Sequence, residues 1–259
     1  MAVAGLVVGF AVGATGVGGG SLMTPALIML FGVNPVTAVG TDLMYATISK
    51  VFGVVLHGRN RSVDWRIVGW QALGSIPATL ATLEFLRDDD YRAQIARLTT
   101  LVLAVAVLAT AIIILFPQRR LSRADPDRPS AADRGVAGRP ALTALGGALI
   151  GVLVTISSVG AGVIGMVMLM WLYPRVATIR LIGTDMTHSV LITAIAGLGH
   201  AELGTIDYEV LIALLIGGFP GIWLGSKLGF RMNATILRRS VAATLLIAGA
   251  TTLTKALRH

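Results

Sequence analysis

Cysteine is absent from the 259 residues, and only 13% of them carry a formal charge. The first absence excludes disulfides, thiolate metal sites and any cysteine-relay chemistry. The second is about half the charged share usual in a soluble domain. The deficit falls in long apolar runs, such as Leu98 to Phe116 with no charge at all. Runs of that length can cross a bilayer. Acidic residues are also scarce, 13 against 21 basic, leaving a net charge of +8. Such a balance can point to nucleic acid, but the basic residues sit between the apolar segments. Topology control and contact with anionic lipid explain them better, so no nucleic-acid partner is expected. Residues 2–30 continue without a basic n-region or a cleavage site, so no cleavable signal is expected there.

What is present is eight apolar segments, at roughly 2–31, 35–56, 65–86, 98–116, 141–173, 178–199, 206–226 and 234–254. They predict an all-α polytopic membrane protein. Pro117 to Pro140 holds six arginines, three aspartates and four prolines, and reads as a polar linker outside the membrane. It separates a first transmembrane repeat, 1–116, from a second, 141–259. A shift of 143 positions carries Gly40-Thr41-Asp42 onto Gly183-Thr184-Asp185. The same shift pairs His57 with His200, Asp64 with Asp207, Gly74 with Gly217 and Pro77 with Pro220. With one residue of slippage, Val17-Gly18-Gly19-Gly20 meets Val159-Gly160-Ala161-Gly162. Internal duplication of this kind is the usual plan of secondary carriers.

The first segment of each repeat is too long for one straight crossing, near 45–50 Å against a hydrocarbon core of roughly 30 Å. Each is interrupted by glycines, and each is expected to be two half-helices meeting at an unwound turn. Backbone of that kind survives at membrane depth only when buried in protein or lining a wet cavity. If these segments dip in and return, the repeats are inverted. Fifteen basic residues then share one side, five the other, and Lys50 lies within a segment. With every segment crossing once, the two sides hold 11 and 9. The positive-inside rule favours inversion and makes the basic side cytoplasmic.

Two unwound turns facing each other would cradle a small anion near the midplane, because their free N–H groups and helix dipoles favour negative charge. The residues that would line it are Gly18, Gly19, Gly20 and Ser21 in one turn, and Ser157, Ser158, Gly160 and Gly162 in the other. Thr41, Thr184 and Lys50 stand beside them, Lys50 as countercharge. Asp42, Asp185 and His188 are candidates for taking up a coupled proton. Two readings of the aspartates stay open: that role, or capping and pairing within the fold. Gly5, Gly9 and Gly13, at four-residue spacing, fit close helix packing. His57 and His200 fit loop hydrogen bonding, Asp64 and Asp207 fit N-caps. Trp65, Trp70, Trp171, Tyr173 and Tyr208 suit an interfacial belt or lipid-facing packing. Neither a metal-ligand cluster nor a paired nucleophile and base appears, so no cofactor, metal site or enzymatic activity is expected.

Gly16-Val17-Gly18-Gly19-Gly20-Ser21-Leu22-Met23-Thr24-Pro25, followed by Ala38-Val39-Gly40-Thr41-Asp42-Leu43, resembles the N-terminal signature of the sulfite exporter TauE/SafE family. Gly183-Thr184-Asp185-Met186 is similar to its weaker second copy. The resemblance implies a bacterial inner-membrane permease for sulfite, sulfonates or related sulfur oxyanions. The second copy has Ala161 and lacks a proline matching Pro25, so two equivalent sites are not implied. Carrier transport of a small anion is the resulting expectation; a passive anion channel and a carrier for another small organic acid are its rivals.

Overall fold

The computed structural model describes residues 2–15, 20–57, 63–87, 92–115, 139–174, 176–229 and 234–258, and among these it contains ten helices and no strand. They are α1 (Ala2–Thr15), α2 (Gly20–Phe31), α3 (Pro35–His57), α4 (Trp65–Leu86) and α5 (Arg92–Leu115), then α6 (Arg139–Ser157), α7 (Val163–Leu172), α8 (Thr178–Glu202), α9 (Tyr208–Gly229) and α10 (Ala234–Arg258). Gln94–Leu115, Arg139–Ser157, Thr178–Glu202 and Tyr208–Leu228 are long and apolar enough to cross a membrane. The eight apolar segments are recovered, and the two over-long ones are each divided between two helices. Most of the 117–140 linker lies outside the described residues.

Polarity is arranged inside out. Leu73 and Leu80 of α4, Leu145 and Leu149 of α6, and Ile212 and Ile216 of α9 are exposed, while Thr24, Asp42, Gln71, Ser75 and His188 are buried. That is the pattern of a bundle solvated by lipid, where backbone polarity is satisfied within helices and side-chain polarity turns inward.

Two seams organise the packing. Along α1, Gly5, Gly9 and Gly13 lie on the backbone of Leu214, Gly218 and Ile222 of α9, where a Cβ would strike a carbonyl oxygen. Along α6, Gly147 and Gly151 lie in the same way on Gln71 and Ser75 of α4, and Thr155 donates to Thr79 at 3.2 Å. Each seam advances one turn on both helices at once, so each pair runs parallel. Small residues at such contacts let helix backbones approach closely, which gives the four-residue glycine spacing of α1 its reason. Each seam joins a helix from one side of the linker to a helix from the other.

Between the seams cross α3 and α8. Gly40 faces His200, and Gly197 faces Leu43 and Met44, so these two helices run antiparallel. Reciprocal hydrogen bonds hold their ends. Thr184 accepts from the Asp64 amide at 2.9 Å, and Thr41 accepts from the Asp207 amide at 3.0 Å. Asp64 then caps α4 through the amides of Arg66 and Ile67, and Asp207 accepts from Val210 at 3.0 Å. Both aspartates are N-caps, as their positions before Trp65 and Tyr208 indicated.

The helix ends sort into two groups. One end of the bundle gathers Asp64, Ile67, Tyr173, Val176 and Leu181. The other gathers Gly40, Thr205 and Asp207, with Arg87 3.8 Å from Glu202.

Candidate functional site

The break between α6 and α7 is described in full. Ser158 has φ 57, and Gly160 and Gly162 have φ 121 and 120. Values near 120 belong to glycine, which alone visits that region without cost. The chain therefore leaves the helix after Ser157 and re-enters one at Val163. It also reverses. Arg139 at the start of α6 donates to the Leu172 carbonyl at the end of α7, and Thr143 meets the Tyr173 hydroxyl at 2.7 Å. Gly146 abuts Met168, and Gly165 abuts Ile150. The two helices thus form a hairpin whose tip is the turn 158–162. Tyr173 is buried by that hydrogen bond rather than lipid-facing, whereas Trp65, Trp171 and Tyr208 are exposed as a belt requires.

Ser157, Ser158 and Val159 at the tip are buried. Ser157 is spent locally, donating to the Leu153 carbonyl at 2.6 Å and accepting from the Val159 amide at 3.3 Å. The Ser158 hydroxyl is near the Asp42 carboxylate, but no hydrogen bond of normal geometry joins them, and its oxygen has no partner. No hydrogen bond takes up the backbone N–H groups of 160–164 among the described residues. The N-cap Gly162 offers no side-chain acceptor either. Free N–H groups at a helix start attract negative charge.

In the first copy, α1 ends at Thr15 and α2 begins at Gly20. Gly18 and Gly19 lie outside the described residues, as do the surroundings of Gly20 and Ser21 and the side chain of His57.

Asp42 and Asp185 lie inside α3 and α8, two turns from their starts, so neither is an N-cap. Each instead faces the first two turns of a half-helix. Thr24 of α2 donates to Asp42. Asp185 stands against Gly165 of α7, in the space where a Cβ would stand. One oxygen of each carboxylate has no partner. Lys50 is half-buried and within electrostatic reach of Asp185 and Asp42, yet no ion pair within 4.0 Å joins it to either. His188 shares a hydrogen bond of 2.8 Å with Ser75. Tyr45, its counterpart on α3, sets its hydroxyl against Gly218 without a partner.

Thr41 and Thr184, expected beside the anion, have their oxygens taken by the Asp207 and Asp64 amides; Thr184 also donates to the Arg180 carbonyl at 2.7 Å. His200 is a structural residue, as its segment-end position suggested. Its Nε2 meets the Thr155 carbonyl at 3.0 Å. A carbonyl can only accept, so Nε2 carries the proton. Nδ1 lies 2.8 Å from the Thr205 hydroxyl, whose one proton is shared between that nitrogen and the His200 carbonyl at 3.0 Å. Gln71, absent from the expected site, is fully buried with both amide atoms unpartnered. No group of three or more metal-ligating side chains occurs among the described residues.

These features are a broken helix hairpin, buried charge and a lipid-exposed apolar surface. A chain named "Probable membrane transporter protein YjnA" from Bacillus subtilis is 34% identical over 249 residues, covering 95% of each chain. A "Probable membrane transporter protein" of Xylella fastidiosa is 26% identical, covering 89% of this chain and 84% of its own. A second from Bacillus subtilis, named YdhB, is 25% identical over 95% and 94%. No solved structure matches the chain. Residues 1–252 match the family described as Sulfite exporter TauE/SafE. The protein is therefore a membrane transporter, not an enzyme, and it belongs to the sulfite exporter TauE/SafE family.

Proposed function

We propose that the chain is a secondary carrier of the bacterial inner membrane for a small anion, sulfite, an organosulfonate or a related sulfur oxyanion, working by alternating access. Its two repeats, 1–116 and 141–259, are an inverted pair joined by 117–140. The observation that carries this reading is the crossing of α3 and α8. Equivalent helices of inverted repeats run antiparallel, and these do. Their register, combined with the offset of 143, brings equivalent residues to one level at Ser49 and Ile192. Lys50 stands one residue from that point, where a midplane anion needs its countercharge. The swapped seams and the reciprocal threonine bonds support the same symmetry. The α6–α7 hairpin supports a re-entrant segment, with Arg139 and Tyr173 on the side where 15 basic residues are expected.

Charge favours coupling to protons. With Asp42, Asp185 and Lys50 all ionised and His188 neutral, the buried site carries an excess of one negative charge. An added anion would meet repulsion in a medium of low dielectric. A proton taken up by Asp42 or Asp185 removes it. A passive channel is one rival, since free N–H groups also line anion pores; a carrier for another small organic acid is the other.

The test is flux in proteoliposomes with sulfite, methanesulfonate, sulfate and acetate, with and without a pH gradient. Uphill sulfite movement driven by that gradient is expected. Lys50→Met should lower it about 100-fold or more, as loss of a buried charge partner does, and Gly160→Leu, which sets a side chain on a backbone at φ 121, should abolish it. Unchanged flux in both would remove the site, and gradient-independent flux far above carrier rates would favour the channel.

A further inference from the structure

Gln71 stands on α4 in the seam with α6, its backbone against Gly147. Its side chain is fully buried, and neither Oε1 nor Nε2 has a hydrogen-bond partner. A primary amide wants up to four hydrogen bonds, and leaving it dry inside an apolar bundle is costly. The fold does not require an amide here. The position 143 residues on, in the matching place of the α1–α9 seam, is Leu214, fully buried in the apolar core. Leucine at this place is therefore compatible with the architecture, and glutamine costs stability for something other than packing.

Its surroundings indicate what that is. One turn along α4, Ser75 bonds His188 of α8. Thr184 of α8 meets the Asp64 amide just before α4, and His188 meets Ser75 within it, so Gln71 lies on α4 between two contacts with the stretch of α8 that holds Asp185. Thr184 is occupied, whereas Asp185 has an oxygen without a partner and faces the first turn of α7. Ser189, one turn beyond Asp185, has an unpartnered hydroxyl as well. Ile67, one turn before Gln71, packs in one cluster with Leu169 of α7 and Leu181 of α8, so the open polar atoms of α4 and α8 lie where these helices meet α7.

We infer that Gln71 is a substrate-recognition residue, its amide hydrogen-bonding the transported anion between α4, α7 and α8. This rests on the carrier reading, since it assigns Gln71 to that site. The amide offers a donor to an anionic oxygen and an acceptor to an oxygen that still holds a proton. Its counterpart Leu214 offers neither, so recognition is one-sided, made by α4 and not by α9.

The natural absence of cysteine allows a direct test. Gln71→Cys in the full chain should react with a small charged thiol reagent in membranes, and sulfite should slow that reaction at least fivefold more than it slows labelling of free cysteine, which measures its own consumption of the reagent. Leu214→Cys, the control, should stay unreactive. Gln71→Leu should raise the KM for sulfite tenfold or more while keeping the wild-type elution profile, and should melt no lower than wild type. An unreactive thiol in Gln71→Cys together with a normal KM in Gln71→Leu would overturn the assignment and make Gln71 an ordinary core residue. Labelling of the Gln71→Cys variant that sulfite slows no more than that of free cysteine would also overturn it. If wild type moves no sulfite but the Gln71→Cys thiol is labelled and protected by methanesulfonate, the sulfite reading fails and the role of Gln71 stands.

Discussion

The helices α3 and α8 carry the same Gly-Thr-Asp sequence and part company on either side of it. Their shared residues do shared work. Gly40 and Gly183 occupy matching positions, and Thr41 and Thr184 make matching hydrogen bonds to the amides that open α9 and α4. Each aspartate faces the first two turns of the half-helix before its own helix. The differences begin with that partner, a hydroxyl at Thr24 against the bare backbone of Gly165. They continue at Tyr45 against His188, and at Lys50 against Thr193. Residues that agree build the frame, and residues that disagree stand where a ligand would be met. On the proposed carrier reading, a two-fold frame would hold a site that is not two-fold.

That division can be broken first at the frame. Gly9→Leu and Gly151→Leu should each cost about 3 kcal/mol or more, the upper range for overpacking, because backbone carbonyls cannot step aside. Loss of the monodisperse peak in size-exclusion chromatography would report it, and a tolerated Gly151→Leu beside a lethal Gly9→Leu would show unequal seams. Moving the charge is the next test. In a Lys50→Met background, Thr193→Lys should restore part of the lost sulfite flux if the site lies on the axis; none would be restored if Lys50 acts only through its own helix. A smaller effect is expected at the threonines. Thr41→Val and Thr184→Val should each cost about 1–3 kcal/mol, because each leaves a helix-opening amide without its acceptor. They lie at opposite ends of the bundle, so in thermal melts the double variant should show their sum. Smallest of all, Tyr45→Phe should leave stability within about 0.5 kcal/mol of wild type. Its hydroxyl has no partner, whereas Ser75→Ala should cost about 1 kcal/mol through His188.

Much of the frame is readable from the residues in order, because lipid imposes one rule along the whole chain. Apolar runs become helices, aspartates before Trp65 and Tyr208 become caps, and Gly160 and Gly162 mark a turn that other residues would resist. The pairing of α1 with α9 is less accessible, since glycine spacing says that a close partner exists without saying which. Tyr173 illustrates the limit of composition: its place at a segment end suggests the membrane interface, while Thr143, 30 residues earlier, draws it inward. Site residues divide similarly. Lys50 and Asp185 stand out because charge is expensive in this setting. Thr41 and Thr184 were legible as special, but their oxygens serve the opposite half's helix starts, a contact across 166 and 120 residues. Gln71 carries no charge and belongs to no motif; Leu214 in the equivalent place is the only signal that could have found it.

The seams also bear on how the chain is made. Gly9 packs on Gly218, and at ordinary rates of synthesis roughly 200 residues take on the order of 10–40 s to follow. Until then the glycine-lined stripe of α1 has no helix to rest on, and α6 meets its own partner α4 far sooner. The first half is therefore an unfinished object when it leaves the ribosome, holding a place for a helix still to be translated. Expressed apart, residues 1–116 and 141–259 should each be cleared by quality control, and expressed together they should assemble, because each supplies the surface on which the other comes to rest.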